Sequence, residues 1–358
     1  MVTISLCMIV KDEEKTLPRC LSGVDGIADE IIIVDTGSTD RTKREAAAFT
    51  DQIYDFAWRD DFAAARNYAF SKASMEYCMW LDADDVIEER EREKLLNLKA
   101  ELTDDTDVVM LRYVTACDEE GNPSFSFYRE RIVKNDGRFV WKGRVHEAIT
   151  PAGNILYADI SVRHQKRRHT GSDRNLRIYE SMLKAQEAFG PREQFYYGRE
   201  LYDHGRWEDA ARALLAFLER EEGFLENRID ACRLLGACRK RLGDGQGAFA
   251  ALFWSFCYDV PRAEVCCDLG GLFLEANLTV QAVYWYERAL GAAKREASGG
   301  FVEEDCYGYR PCIGLCIAYD RMGDHARAFR YNEKAATYKP GDKYVRANRR
   351  YFREKWGL

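Results

Sequence analysis

At 358 residues, with 46% hydrophobic and 32% charged side chains and only seven prolines, the chain has the composition of a folded globular protein of two or three domains. Its 53 basic and 60 acidic residues leave a net charge of -7, which argues against nucleic acid as a partner, and it has no run of about 18 apolar residues, so no membrane span is expected. The first residues lack a basic region, and the charged residues 11–14 interrupt any apolar core, so no secretory signal is expected; the twelve cysteines then read as reduced thiols of a cytoplasmic protein.

Residues 3–10 are an apolar run of the kind found in buried parallel strands, followed by a helix that opens near Pro18 and ends near Gly23 and Gly26. A second buried strand at 30–34 runs into Asp35-Thr36-Gly37-Ser38-Thr39-Asp40, where Thr39 or Asp40 can cap the next helix. A short strand at 51–56, an alanine-rich helix at 61–74 and a strand at 77–81 follow, the last leading directly into Asp82-Ala83-Asp84-Asp85. This alternation predicts a doubly wound, mostly parallel sheet whose ligands bind at the carboxyl ends of the strands, where the acidic clusters fall. Residues 108–113 and 126–133 alternate as strands do, Asn135-Asp136-Gly137 is a turn, and residues 139–147 continue this β-rich stretch.

From about residue 173 onward the pattern is helical and repeats. Gly205, Gly243, Asn277 and Gly323 mark turns, each with alanine five residues later: Ala210, Ala248, Ala282 and Ala328. Eight residues before each turn stand Tyr197, Leu235, Leu269 and Leu315, and next to them Gly198, Gly236, Gly270 and Cys316. Large, small, then small after the turn is the spacing of the tetratricopeptide repeat, in which paired helices pack closely. The last interval is lengthened by inserted residues around 297–305. The expected division is an α/β domain at 1–168, a linker helix at 169–190 and an all-α repeat solenoid at 191–358. Cys266, Cys267, Cys306, Cys312 and Cys316 lack zinc-site spacing and read as small core residues, and no phosphate-cradling GxGxxG or P-loop occurs.

Asp82 and Asp84, separated by one residue at a strand end, can hold a hard divalent cation that in turn binds a diphosphate; a solvated helix cap is the plain alternative. Asp35 sits at the end of an earlier strand of the same sheet, where it can accept a nucleobase imide proton or bind a ribose hydroxyl. Gly37 lets a ligand approach the turn, and Arg66, on the preceding helix, can contact base or diphosphate. His164 is a candidate third metal ligand, and His146 and Glu147 are candidates on the acceptor side. The basic run Lys166-Arg167-Arg168-His169 reads as a solvated linker.

Residues 5–13 (SLCMIVKDE), 30–42 (EIIIVDTGSTDRT), 62–69 (FAAARNYA) and 80–86 (WLDADDV) together resemble family 2 glycosyltransferases of the GT-A fold. With the repeat half, the chain is similar to the branch that includes bacteriocin S-glycosyltransferases and bacterial flagellin glycosyltransferases. The resemblance implies a UDP-sugar donor such as UDP-glucose or UDP-GlcNAc, a Mn2+ or Mg2+ ion and inversion at the anomeric carbon. It implies nucleotide-sugar contacts from Val10, Lys11, Asp35, Gly37, Arg66, Asp82 and Ala83, metal ligation by Asp84 and His164, and an acidic base, for which Glu147 is the candidate and Asp85 or Asp118 the fallback. The acceptor expected is a Ser, Thr or Cys side chain of a peptide or protein, a bacteriocin precursor or flagellin-like, held by the repeats. Transfer to a glycan or carrier, a catalytically dead repeat scaffold, and repeats that only form a homodimer are the competing readings.

Overall fold

The structure is a computed structural model and describes residues 1–165 and 173–358. The run Lys166 to His169 and the expected boundary at 168 lie outside the described residues. Two compact units are formed, Met1–Ala188 and Phe189–Leu358.

In the first unit, strands β1 (Ile4–Val10), β2 (Glu30–Asp35), β3 (Ile53–Asp55) and β4 (Tyr77–Trp80) run parallel in the order β3-β2-β1-β4. Most of their isoleucines, leucines, valines and methionines are buried on both sheet faces, with Ile9, Ile31 and Ile53 partly buried, which is why β1, β2 and β4 read as unbroken apolar runs. Helices α1 (Leu17–Ser22), α2 (Thr42–Ala46) and α3 (Phe62–Phe70) connect them. Pro18 sits in the first turn of α1. Asp61 caps α3 by accepting the Ala64 N–H at 2.9 Å, and Asp40 accepts the Thr42 N–H at 2.9 Å where α2 begins.

Beyond β4 the sheet becomes mixed. A short strand β5 (Asp85–Val86) and helix α4 (Glu89–Glu101) precede β6 (Val108–Cys117), β7 (Pro123–Lys134) and β8 (Ile155–His164). The order continues β4-β7-β6-β8-β5: β7 is antiparallel to β4 and β6, β8 is parallel to β6, and β5 is antiparallel to β8. Residues 139–147 form no regular strand; Lys142 and Ala148 make an isolated bridge there. Helix α5 (Arg174–Lys184), within the segment expected as a linker, groups with the first unit through its buried Leu176, Ile178, Tyr179 and Met182. Among the described residues no helix is long and apolar enough to cross a membrane.

The second unit stacks four helix pairs: α6 (Pro191–Asp203) with α7 (Trp207–Leu218), α8 (Leu225–Arg241) with α9 (Gly245–Trp254), α10 (Ala263–Glu275) with α11 (Thr279–Leu290), and α12 (Tyr309–Arg321) with α13 (His325–Tyr338). Helix α14 (Lys343–Trp356) packs on α13 and closes the stack. The turn residues Gly205, Gly243, Asn277 and Gly323 all have positive φ, between 57° and 81°. The alanines five residues on are fully buried, and a Cβ on Gly198 or Gly270 would come within 2.8 Å of Leu214 or Tyr286, so the small residues are what let each pair close. The five cysteines at 266, 267, 306, 312 and 316 are buried and free. The inserted residues between α11 and α12 hold a two-residue strand, β9 (Val302–Glu303), and two turns of 3-10 helix.

Candidate functional site

A cleft of about 370 Å³ opens in the first unit, lined by Ile9, Val10 and Lys11 at the carboxyl end of β1 and by Trp80, Asp82, Ala83 and Asp84 at the end of β4. Arg66, His146, Glu147 and His164 line it as well, so most of the residues singled out from sequence face one cavity. Asp35 and Gly37 are not in its lining, but Thr36 between them is. Asp35 is 1% exposed; its Oδ1 accepts the N–H groups of Gly37 and Ser38 at 2.9 and 2.8 Å, while its buried Oδ2 has no partner.

Arg66 organises one wall. Helix α3 delivers it against the edge-to-face pair of Trp80 and Trp141, whose ring centres are 4.9 Å apart, with its guanidinium carbon 4.8 Å from each. Nη2 donates to Asp82 Oδ1 at 2.7 Å and Nε to Glu147 Oε1 at 2.6 Å, and the buried Nη1 is unpartnered. Burial disfavours both charges of the Arg66–Asp82 pair, yet mutual attraction wins: Arg66 is held above the usual arginine range and Asp82 below the usual carboxylate range. Glu147 is thus tied to Arg66 at the cleft. His146 beside it has φ 51°, an unusual conformation for a non-glycine residue, and lines the same cleft.

The opposite wall is made by the β5–β8 pairing, which sets Asp85 directly across from His164. His164 Nδ1 lies 3.1 Å from Asp84 Oδ1, 3.3 Å from Asp85 Oδ1 and 2.9 Å from the Tyr113 hydroxyl. Burial lowers the affinity of His164 for its proton, but the hydrogen bonds and charges of Asp84 and Asp85 outweigh it and push its pKa up to about 9. Asp85 is fully buried and already engaged: it pairs with Arg131 Nη1 at 3.0 Å and accepts from the Tyr113 hydroxyl and the Asp82 N–H, each at 3.0 Å. Arg131, fully buried, is clasped between Trp80 and Tyr113, 3.8 and 4.2 Å from their ring centres.

Ligand atoms of Asp84, Asp85 and His164 lie within 4.8 Å of one another. Two carboxylates and an imidazole suit Mn2+, and the carboxylates suit Mg2+. Because Asp85 is committed to Arg131, the ligands that face the cleft are Asp84 and His164, with Asp82 one residue away. Glu13, on the same cleft, holds its proton more tightly than an ordinary glutamate; burial is the largest cause, and the charges of Asp84 and Asp82 add to it against a hydrogen bond from Thr16. The donor set fits a divalent cation.

Sequence reasoning did not assign roles to Tyr113 or Arg131, nor to Asp85 beyond a fallback base. Arg131 lies in the stretch 126–133, read from sequence only as an alternating strand, and the pairing of β7 against β4 carries it against Trp80.

Residues 5–172 match the family model of Glycosyl transferase family 2. The SPbeta prophage-derived glycosyltransferase SunS of Bacillus subtilis is 28% identical over 249 residues, covering 65% of this chain and 58% of SunS. A TPR repeat-containing protein of Synechococcus elongatus is 47% identical over 85 residues, 24% of this chain and 21% of its own. The lipopolysaccharide core biosynthesis glycosyltransferase LpsC of Rhizobium meliloti is 29% identical over 162 residues, 42% of this chain and 58% of LpsC. This chain thus spans less than two thirds of each relative. Residues 5–172 are similar to family 2 glycosyltransferases, and 85 residues of the chain are similar to a TPR repeat-containing protein.

Proposed function

We infer that the chain is a glycosyltransferase that moves a sugar from a UDP-sugar to a Ser, Thr or Cys side chain of a peptide or protein. The observation that carries this reading is the meeting of Asp84 and His164, through the β5–β8 pairing, at the cleft of a family 2 domain. The likeness to SunS, together with the repeat unit, favours a polypeptide acceptor. LpsC favours the second reading, a glycan acceptor on the same donor chemistry.

In this reading Asp35 takes the nucleoside through its unpartnered Oδ2, with Thr36 and Val10 beside it. Asp84 and His164 hold a Mn2+ or Mg2+ ion, which when bound offsets the charge of the donor diphosphate. Lys11 and the guanidinium of Arg66, whose buried Nη1 has no partner, supply further positive charge toward the phosphates, and Ala83 lines the cleft beside them. Glu147, its carboxylate oriented by Arg66, accepts the proton of the attacking hydroxyl or thiol. A panel of nucleotide sugars with Mn2+ and candidate peptides, scored by nucleotide release and peptide mass, tests the reading. Glu147→Gln is expected to abolish transfer while leaving donor binding intact; retained turnover moves the base to another residue.

A further inference from the structure

Helix α14 is charged against the rest of the chain. Residues 343–355 carry six basic side chains and one acidic one, in a protein whose net charge is -7. The apolar side of the helix is already in use. Val345 and Phe352 are buried, Phe352 meets Phe329 of α13 edge to face at 5.9 Å, and the side-chain amide of Asn332 on α13 donates to the Val345 carbonyl at 3.2 Å. Arg349, at the margin of that side, donates to both carboxylate oxygens of Glu333 on α13, at 2.8 and 2.7 Å. The other side is basic. Lys343, Arg346, Arg350 and Arg353 recur at intervals of three, four and three residues, which at 3.6 residues per turn sets them on one stripe about 15 Å long. All four are exposed, and Glu354 is the one acid beside them.

Cations three and four positions apart on a helix repel one another. Elsewhere in the repeat unit exposed arginines are answered locally, Arg206 and Arg212 by Asp209 and Arg327 by Asp324. Among the described residues the four cations of the α14 stripe have no ion-pair partner, so their counter-charge lies outside the chain. Its chemistry follows from the arrangement. Cations in a row do not converge on a point, as the donors of a small-ligand site do, and so match an extended array of anions. Three of the four are arginines, whose planar forks suit phosphate. Tyr338 and Tyr344, on either side of the turn that joins α13 to α14, are exposed at the Lys343 end of the stripe, and Lys343 lies 5.2 Å over the Tyr344 ring. Such amphipathic rings settle at the headgroup level of a bilayer, where phosphates border an apolar layer.

We propose that the basic stripe of α14 is a docking surface for an anionic phospholipid surface, with Lys343, Arg346, Arg350 and Arg353 over the headgroups and Tyr344 beside them. Because Val345 and Phe352 are spent on α13, the helix lies on the lipid through charge and not by insertion, so the attachment is reversible and sensitive to salt. The proposal does not depend on glycosyl transfer.

The test is sedimentation of the full chain with vesicles of phosphatidylcholine alone and of phosphatidylcholine with about one third phosphatidylserine. At low salt the chain is expected to partition onto the anionic vesicles and not onto the zwitterionic ones, and to leave them at about 0.5 M salt, where charge is screened within a few ångström. Each cation near an anionic surface is worth about a fivefold gain in partition, so Arg346→Gln, Arg350→Gln and Arg353→Gln combined should lower it about 100-fold with the melting transition unchanged. Arg44→Gln, Arg90→Gln and Lys184→Gln combined change the net charge equally at exposed positions away from α14, and should leave partition within about threefold of wild type. No partition onto anionic vesicles, equal partition onto zwitterionic ones, or equal partition of the two triple variants overturns the proposal. So does release of the chain from the vesicles by duplex DNA or polyglutamate at equal anion concentration, which would assign the stripe to another polyanion. If the α14 triple variant does not melt as wild type does, Arg350→Gln alone decides, with an expected loss of about fivefold against none.

Discussion

In the first unit Arg66 bridges Asp82 and Glu147 beside a cleft of about 370 Å³; in the second, Arg233 and Arg310 bridge Asp268 and Glu303 around about 30 Å³. Both sites set guanidiniums against carboxylates, but Arg66 is buried whereas Arg233 and Arg310 are only partly buried, so the desolvation cost falls chiefly on the cleft. Arg66 Nη1 at the cleft and Asp35 Oδ2, next to the cleft-lining Thr36, are buried and unpaired. The repeat site meets its arginines with a segment of the chain itself. Open space beside unpaired polar atoms marks a place for a small ligand, whereas filled space marks a contact within the fold.

The largest effect expected from breaking this contrast is at Arg131. Arg131→Met leaves Asp85 buried without its cation and should destabilise the chain by about 3–5 kcal/mol, read by equilibrium denaturation. A loss under about 1 kcal/mol would mean Asp85 is satisfied without it. Next, Asp84→Ala should abolish Mn2+ binding, followed by electron paramagnetic resonance, and lower turnover at least about 100-fold with the melting transition unchanged. Asp35→Ala should weaken UDP by about 1–3 kcal/mol, with free uridine losing affinity in parallel; unchanged calorimetric affinity would place the nucleoside elsewhere. The smallest effect belongs to the repeat scaffold: Gly205→Ala at φ 72° should cost about 1 kcal/mol, because alanine is strained there although nothing crowds its Cβ.

What was legible in the sequence follows from how each feature is encoded. The parallel strands announce themselves because both faces are buried, and the repeat turns because only Gly or Asn readily takes positive φ. Asp35, Arg66, Asp82 and Asp84 sit at strand ends or on a flanking helix, where chain order alone locates them. Helix α4 was not legible: its charged run, residues 88–94, hides the buried face made by Leu95 and Lys99. Strands β5 and β8 were missed because β5 has two residues and the first part of β8 is exposed. Without that pairing His164 was a candidate with no stated neighbour. The Arg131–Asp85 pair joins residues 46 positions apart on different strands, and the bridging of Glu303 and Asp268 joins three helices; neither has a local signature.

Calorimetric titration of UDP into the full chain, with Mn2+ and then with EDTA, bears most directly on the reading of the cleft as a donor site built around a divalent ion. The carboxylates of Asp82 and Asp84 repel a diphosphate unless a cation lies between them, so UDP should bind with Mn2+ and fail to bind in chelator. UDP binding of equal affinity in both conditions would contradict the metal site, and no binding of UDP in either would contradict the donor site itself.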